Sequence, residues 1–198
     1  MKLMKVMLLA AVLVTSATAA HAANKTFGVG GGMSMPIGNF ADFAKMGYNG
    51  GVYGDYWIKT NYAFGADITG NFFGGNSDLV DGLKSTVYPD ASVSSALINF
   101  GVHGMWVATK EGGAVTPWIT YGVGYYNVSA KIENAGVGRN LDNSDGKFGF
   151  NGGGGLNFKG NDSMTPGVDV KYHYVMTDND ATSYWTAGVH LTIKTSGK

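Results

Sequence analysis

Seven side chains capable of acid–base or ionic chemistry stand on segments that read as strands: Asp55, Asp67, His103, Asp169, Lys171, His173 and His190. A histidine changes charge near neutral pH, so a histidine beside a carboxylate can carry a proton or bind a ligand. The same groups can instead pair with one another and form an internal polar network that rigidifies the protein. Which interpretation holds depends on the elements that position these side chains.

Few other residues suggest a reactive site. The sequence contains no cysteine, which excludes disulfides, thiolate metal sites and a cysteine nucleophile. His190 and Thr192 share one strand face, and a hydroxyl beside a histidine is what an enzyme with a threonine nucleophile would need. Three acidic pairs lack the spacing and the closing glutamate of a calcium-binding EF-hand loop, and we interpret them as solvated loop charges: Asp78 with Asp81, Asp142 with Asp145, and Asp178 with Asp180.

A glycine-rich stretch, TFGVGGGMSM at 26–35, resembles a phosphate-binding loop only superficially. The dinucleotide pattern counted from Gly28 needs a glycine where Met33 stands, and the following PIGNF opens with a proline, which disfavours a helix. With a period of two, Phe27 and Val29 share a face with Met33, while small and polar residues share the other. The stretch is therefore interpreted as a strand.

The same alternation of apolar with small or polar residues recurs along the chain. It predicts eight strands, at 26–35, 48–58, 63–73, 95–106, 118–126, 147–158, 167–176 and 185–193. Longer connections at 36–47, 74–90, 132–146 and 178–184 alternate with short turns near 59–61, 110–116 and 159–165. This order predicts an up-and-down antiparallel meander with all the longer loops at one end.

The composition of the two faces predicts which face is turned inward. The polar faces carry mostly Gly, Thr, Asn and Ser, which would form a poor water-facing surface for a soluble barrel. With the apolar face toward lipid and the polar face in the lumen, strands of about 9–11 residues cross the hydrocarbon, and closure satisfies every backbone group. All seven candidate side chains then face the lumen, which favours the internal polar network and leaves a proton or ligand role for the histidines as the alternative. In that network we expect Lys171 to form an ion pair with Asp169, Asp55 or Asp67.

The first 22 residues have the features of a cleaved secretory signal peptide. Lys2 and Lys5 precede the apolar MLLAAVLV, and Ala20-His21-Ala22 supplies small residues for cleavage. We therefore expect residues 1–22 to be a signal peptide and residues 23–198 to form one β-barrel domain. A formal net charge of +0 without a basic run argues against nucleic acid as a partner.

The run PIGNFADFAKMGYNGGVYGDYWIKTNYAFGADITG, together with KFGFNGGGGLNF and VDVKYHYV, resembles the small outer-membrane β-barrel proteins of Gram-negative bacteria, the group similar to the membrane domain of outer-membrane protein A. The resemblance implies an eight-stranded transmembrane barrel in the cell outer membrane. It also implies contact with outer-membrane lipid and lipopolysaccharide, and insertion by the barrel-assembly machinery. The sequence ends TIKTSGK, without the terminal aromatic residue that this machinery reads in the family.

The function expected from these observations is structural: a monomeric barrel with a closed or nearly closed lumen that maintains the envelope, with no cofactor, metal or catalytic residue. Eight strands leave room only for side chains, and Tyr53, Trp57, Met105 and Lys171 are available to fill the lumen. The alternative is a binding or adhesion protein that uses its long loops. A lipid-modifying enzyme is less favoured, because His190 and Thr192 face the lumen rather than the lipid.

Overall fold

The computed structural model describes residues 25–77, 80–81, 92–108, 113–133, 141–178 and 180–194. These residues form eight strands, with a short 3₁₀ helix at Gly38–Asp42. The strands are β1 (Lys25–Ile37), β2 (Ala44–Lys59), β3 (Tyr62–Gly75), β4 (Ser92–Val107), β5 (Val115–Glu133), β6 (Leu141–Phe158), β7 (Met164–Val175) and β8 (Thr182–Lys194). The expected signal peptide at 1–22 lies outside the described residues. No helix in these ranges is long and apolar enough to cross a membrane.

The eight strands close into a barrel in which each pairs antiparallel with its neighbours in sequence and β8 pairs with β1. The predicted fold, an eight-stranded antiparallel up-and-down barrel, is confirmed. Paired residues followed once around the barrel from Thr26 lead back to Pro36 on the same strand, so the strands are tilted and staggered. Below, the end where β1 begins and β8 ends is the terminal end, and the opposite end is the loop end.

The strands are longer than predicted, and the expected long loop at 132–146 is wrong. In the structure β5 and β6 remain paired up to Ile132 and Leu141. Backbone hydrogen bonds need no hydrophobic pattern. The strands therefore continue through NVSAKIE and LDNSDGK, where alternation fades and sequence periodicity gives no signal. The expected loop at 36–47 is likewise reduced to the 3₁₀ helix, because β2 already begins at Ala44.

The two faces of the wall differ as the period-two pattern predicts. Apolar side chains on the outer face are largely exposed, for example Val52 at 54%, Val102 at 55% and Val123 at 48%. At the loop end the lumen holds a packed cluster of Ala44, Phe73, Leu97, Tyr126, Val175 and Tyr184, against which Phe40 and Val128 also pack. Polar residues fill the lumen below this loop-end cluster.

Candidate functional site

His103 bridges two carboxylates in the lumen. Its Nε2 lies 2.8 Å from Asp55 Oδ1 and its Nδ1 lies 3.0 Å from Asp67 Oδ1. Thr26 donates a hydrogen bond to Asp55, and the Asn99 amide donates to Asp67 at 2.8 Å. A neutral imidazole donates from only one of its nitrogens, so two carboxylate acceptors on one ring fit a doubly protonated, positively charged His103. The His103 bridge thus joins β2, β3 and β4 through paired charges.

A glycine on the middle strand makes room for this bridge. Asp55 pairs across the sheet with Gly65, and Gly65 pairs with His103, so the two polar side chains must reach each other over position 65. A Cβ added at Gly65 would overlap both Asp55 Oδ1 and His103 Nε2. Gly65 therefore serves the hydrogen bond by its lack of a side chain.

A second site across the lumen repeats this arrangement. His190 Nδ1 lies 2.9 Å from Asp169 Oδ1, and its Nε2 lies 2.9 Å from Asn157 Oδ1. Asn157 pairs with Gly167, which pairs with His190, and a Cβ at Gly167 would overlap the His190 ring. The same order of polar residue, glycine and histidine on three adjacent strands therefore holds both histidines.

His173 lies nearer the loop end and links the polar lumen to the loop-end cluster. The residue is 4% exposed, and its Nδ1 lies 3.1 Å from the hydroxyl of Tyr126. Its Nε2 lies 3.5 Å from Thr186 Oγ1, and its ring stacks on Tyr184 with centroids 4.6 Å apart. His173 has no carboxylate within ion-pair distance among the described residues, in contrast to His103 and His190.

Lys171 lies between the two histidine sites. Within the described ranges its ammonium group forms no hydrogen bond and no ion pair within 4 Å, so the sequence-based expectation that it would be the ion-pair partner of Asp55, Asp67 or Asp169 is wrong. The histidines pair with these carboxylates instead. His103 lies on the same register line as Asp55 and on the strand next to Asp67, and His190 lies on the strand next to Asp169. Lys171 instead lines two lumen cavities of about 70 Å³ and 60 Å³. Each is large enough for a few water molecules only.

Among the described residues, His190 and Thr192 do not meet as a nucleophilic pair. Thr192 Oγ1 lies 2.5 Å from the Tyr53 hydroxyl, and both nitrogens of His190 are occupied by Asp169 and Asn157. His190 therefore has no free nitrogen to activate Thr192. In the part of the chain that the structure describes, no group of three or more histidine or acidic side chains is arranged to hold a metal ion.

Two of the acidic loop residues, Asp145 and Asp178, form ion pairs with a lysine. Lys147 lies 2.7 Å from Asp145 Oδ2 and 2.6 Å from Asp178 Oδ2, and so ties β6 to the connection after β7. The hydrogen bond from Lys147 lowers the pKa of Asp145. Asp145 and Asp178 together raise the pKa of Lys147. Asp78 and the side chain of Asp142 lie outside what the structure describes.

Several residues that complete these networks were not among the candidates from the sequence. They are Asn99, Asn151, Asn157 and Tyr126, together with the two glycines at 65 and 167. The alternation of the sequence indicates only that these residues face the lumen. Strand register was needed to show which of them meet.

No family model and no curated protein matches the chain. Solved structures do match. Neisserial surface protein A superposes with a TM-score of 0.59 at 12% identity, covering 86% of this chain and 96% of that one. A major outer membrane protein from Thermus thermophilus gives 0.57 at 13% identity, covering 85% and 98%. Ail, the attachment invasion locus protein of Yersinia pestis, gives 0.52 at 14% identity, also covering 85% and 98%. The chain therefore has the fold of the small eight-stranded outer-membrane β-barrel proteins.

Proposed function

We propose that this protein is a structural β-barrel of the bacterial outer membrane, with a lumen that is closed to solutes. One observation carries the proposal: the same strands present apolar side chains outward, such as the half-exposed Val52 and Val102, and bury bonded charges such as Asp55 inside. In water this arrangement would expose a continuous apolar surface. In a bilayer the outer face contacts hydrocarbon, and the closed sheet satisfies its backbone groups.

The filled lumen supports a structural role rather than conduction. The loop-end cluster packs aromatic and aliphatic side chains across the barrel, with Phe73 against Tyr184 at 5.5 Å between ring centroids. Below it, His103 and His190 hold the three inward carboxylates. The two lumen cavities that Lys171 lines are small. These contacts join non-neighbouring strands and rigidify the wall from inside.

Cell fractionation followed by gel electrophoresis tests the proposal. The protein should be recovered in the outer-membrane fraction, and it should migrate faster unboiled than boiled, because a closed barrel resists detergent and stays compact. Recovery as a soluble periplasmic protein would contradict the membrane location. Conductance of small ions through the purified protein in planar bilayers would contradict the closed lumen.

A second function, binding of an external partner, is favoured by the shape of the loop end. β6 pairs with β5 as far as Leu141, whereas its described pairing with β7 begins only at Gly149. The hairpin of β5 and β6 therefore extends beyond β7 and presents a strand edge, a feature that proteins use to bind extended segments. Ail is named for attachment and invasion. At 14% identity this likeness concerns the fold alone.

Cysteine labelling tests whether this hairpin faces the outside of the cell. A cysteine at Asp145, on the extended part of β6, should react with a membrane-impermeant maleimide on intact cells. A cysteine at Asp162, in the exposed turn between β6 and β7 at the terminal end, should react only after the cells are broken. The reverse pattern would place the hairpin in the periplasm and remove the binding alternative.

A further inference from the structure

An apolar groove runs along the outer wall of the barrel where β6, β7, β8 and β1 adjoin. Its volume is about 470 Å³, and its walls are formed by Val29, Phe158, Pro166, Val168, Val189 and Leu191. Gly31 lines the groove without a side chain, on the same outer face of β1 as the exposed Val29 and Met33. Sites for small molecules typically enclose about 300–1,000 Å³. The groove is therefore large enough for a ligand and has an apolar lining.

The groove begins at the rim of the terminal end. Phe158 is the last residue of β6, Pro166 lies just after β7 begins, and Leu191 lies shortly before β8 ends at Lys194. Its other end, at Gly31 and Val189, lies nearer the middle of the wall. The groove therefore extends from the rim toward the membrane centre, which is the course that a lipid acyl chain takes in a bilayer.

The rim beside the groove carries positive charge. Lys159 directly follows Phe158, and Lys194 ends β8; both side chains are exposed. The backbone N–H of Lys194 donates to the carbonyl of Ser163 at 2.9 Å, so the end of β8 adjoins the turn that Lys159 begins. Asp162 is the acidic residue of that turn. Lysines at a membrane surface attract the negative phosphates of lipid headgroups.

We propose that this groove binds one phospholipid of the surrounding bilayer, with an acyl chain against Val168 and Val189 and the phosphate at Lys159 and Lys194. The inference rests on the proposed membrane location. The groove is continuous with the apolar outer face, so hydrocarbon is its neighbour along its whole length. A cationic rim at the headgroup level complements a phosphate, and this charge favours a lipid over a second copy of the chain, which would bring the same lysines to the contact.

Native mass spectrometry of protein released from detergent micelles containing phosphatidylglycerol tests the groove. The wild type should retain one lipid, and Val189→Trp, which fills the groove, should lose it. Val102→Trp is the matched control, because Val102 is similarly exposed on the outer face of β4 and does not line the groove. Equal lipid retention in the two variants would overturn the proposal, and so would a dimer without lipid in the wild type.

The rim is tested by the same measurement. Lys159→Gln and Lys194→Gln should each weaken phosphatidylglycerol binding roughly fivefold. Lys59→Gln, at the terminal end of β2, should leave binding unchanged. Equal effects of all three substitutions would overturn the headgroup site. If the wild type migrates faster on a gel unboiled than boiled but carries no lipid, the lipid site alone is wrong. If the unboiled and boiled samples migrate alike, the proposed function is wrong as well.

Discussion

The two halves of the lumen are stabilised in different ways. The loop-end cluster is apolar and packs Leu97, Tyr126 and Tyr184 at 0% exposure. The half toward the terminal end holds its charges in pairs, with His103 between Asp55 and Asp67 and His190 beside Asp169. Apolar packing tolerates changes in proportion to the volume removed, whereas a buried charge depends on one specific partner. A narrow barrel can thus be filled by either means, but the two halves should respond differently to substitution.

Removal of the bridging histidine should have the largest effect. His103→Leu leaves Asp55 and Asp67 facing each other without a counterion and should lower the free energy of unfolding by about 3–5 kcal/mol. Urea unfolding of the refolded protein in detergent micelles measures this loss. Adding Asp55→Asn and Asp67→Asn to the same variant should recover part of it, because the uncompensated charges are then gone. A loss unchanged in the triple variant would mean that packing of the ring, rather than charge, is what His103 contributes.

The apolar half should respond to lost volume. Leu97→Ala removes a fully buried side chain from the loop-end cluster and should cost about 3 kcal/mol in the same urea measurement. The cost should be nearly independent of pH, because no titratable partner of Leu97 changes. If the loss caused by Leu97→Ala changed strongly between neutral and mildly acidic pH, the packing of the loop-end cluster would be coupled to the charges of the His103 bridge.

A glycine-to-alanine substitution should lower the free energy of unfolding only where other atoms occupy the position of the added methyl group. Gly65→Ala places a Cβ where Asp55 and His103 meet and should destabilise the barrel by about 1–3 kcal/mol. Gly152→Ala is the matched control on β6, since the nearest atom to its Cβ would be the carbonyl oxygen of Thr120 at 3.7 Å, an ordinary contact. Equal unfolding free energies for the two variants would argue against a requirement for glycine at the bridge.

The smallest effect is expected at Lys171. Among the described residues Lys171 has no ion-pair partner within 4 Å and acts on Asp67 and Asp169 only at longer range, so Lys171→Met should change the unfolding free energy by less than about 1 kcal/mol. His103→Leu serves as the reference in the same measurement. A loss as large as that of His103→Leu would show that Lys171 compensates the carboxylates as well as the histidine does.

The fold could be predicted from the sequence because it depends on alternation, which is a local property. Val102 and His103 are adjacent in the chain, and a period of two is enough to send one outward and the other inward. The partner of Asp55 could not be predicted, because it depends on the register of β2 with β3 and of β3 with β4. The continuation of β5 and β6 beyond the apolar belt was missed for a related reason: backbone pairing there has no counterpart in side-chain hydrophobicity.

The closure of the barrel between β1 and β8 has a consequence for how the chain folds. Thr26 pairs with Lys194 and Ile37 with Ser183, so this seam joins the strands farthest apart in sequence, while every other pair joins consecutive strands. Hairpins can form locally and early, but the seam requires the ends of the chain to find each other, which is entropically slow. Until they meet, both terminal strands present open edges that can pair with other molecules. The time spent searching for this one contact should therefore determine how long the nascent protein is prone to aggregate.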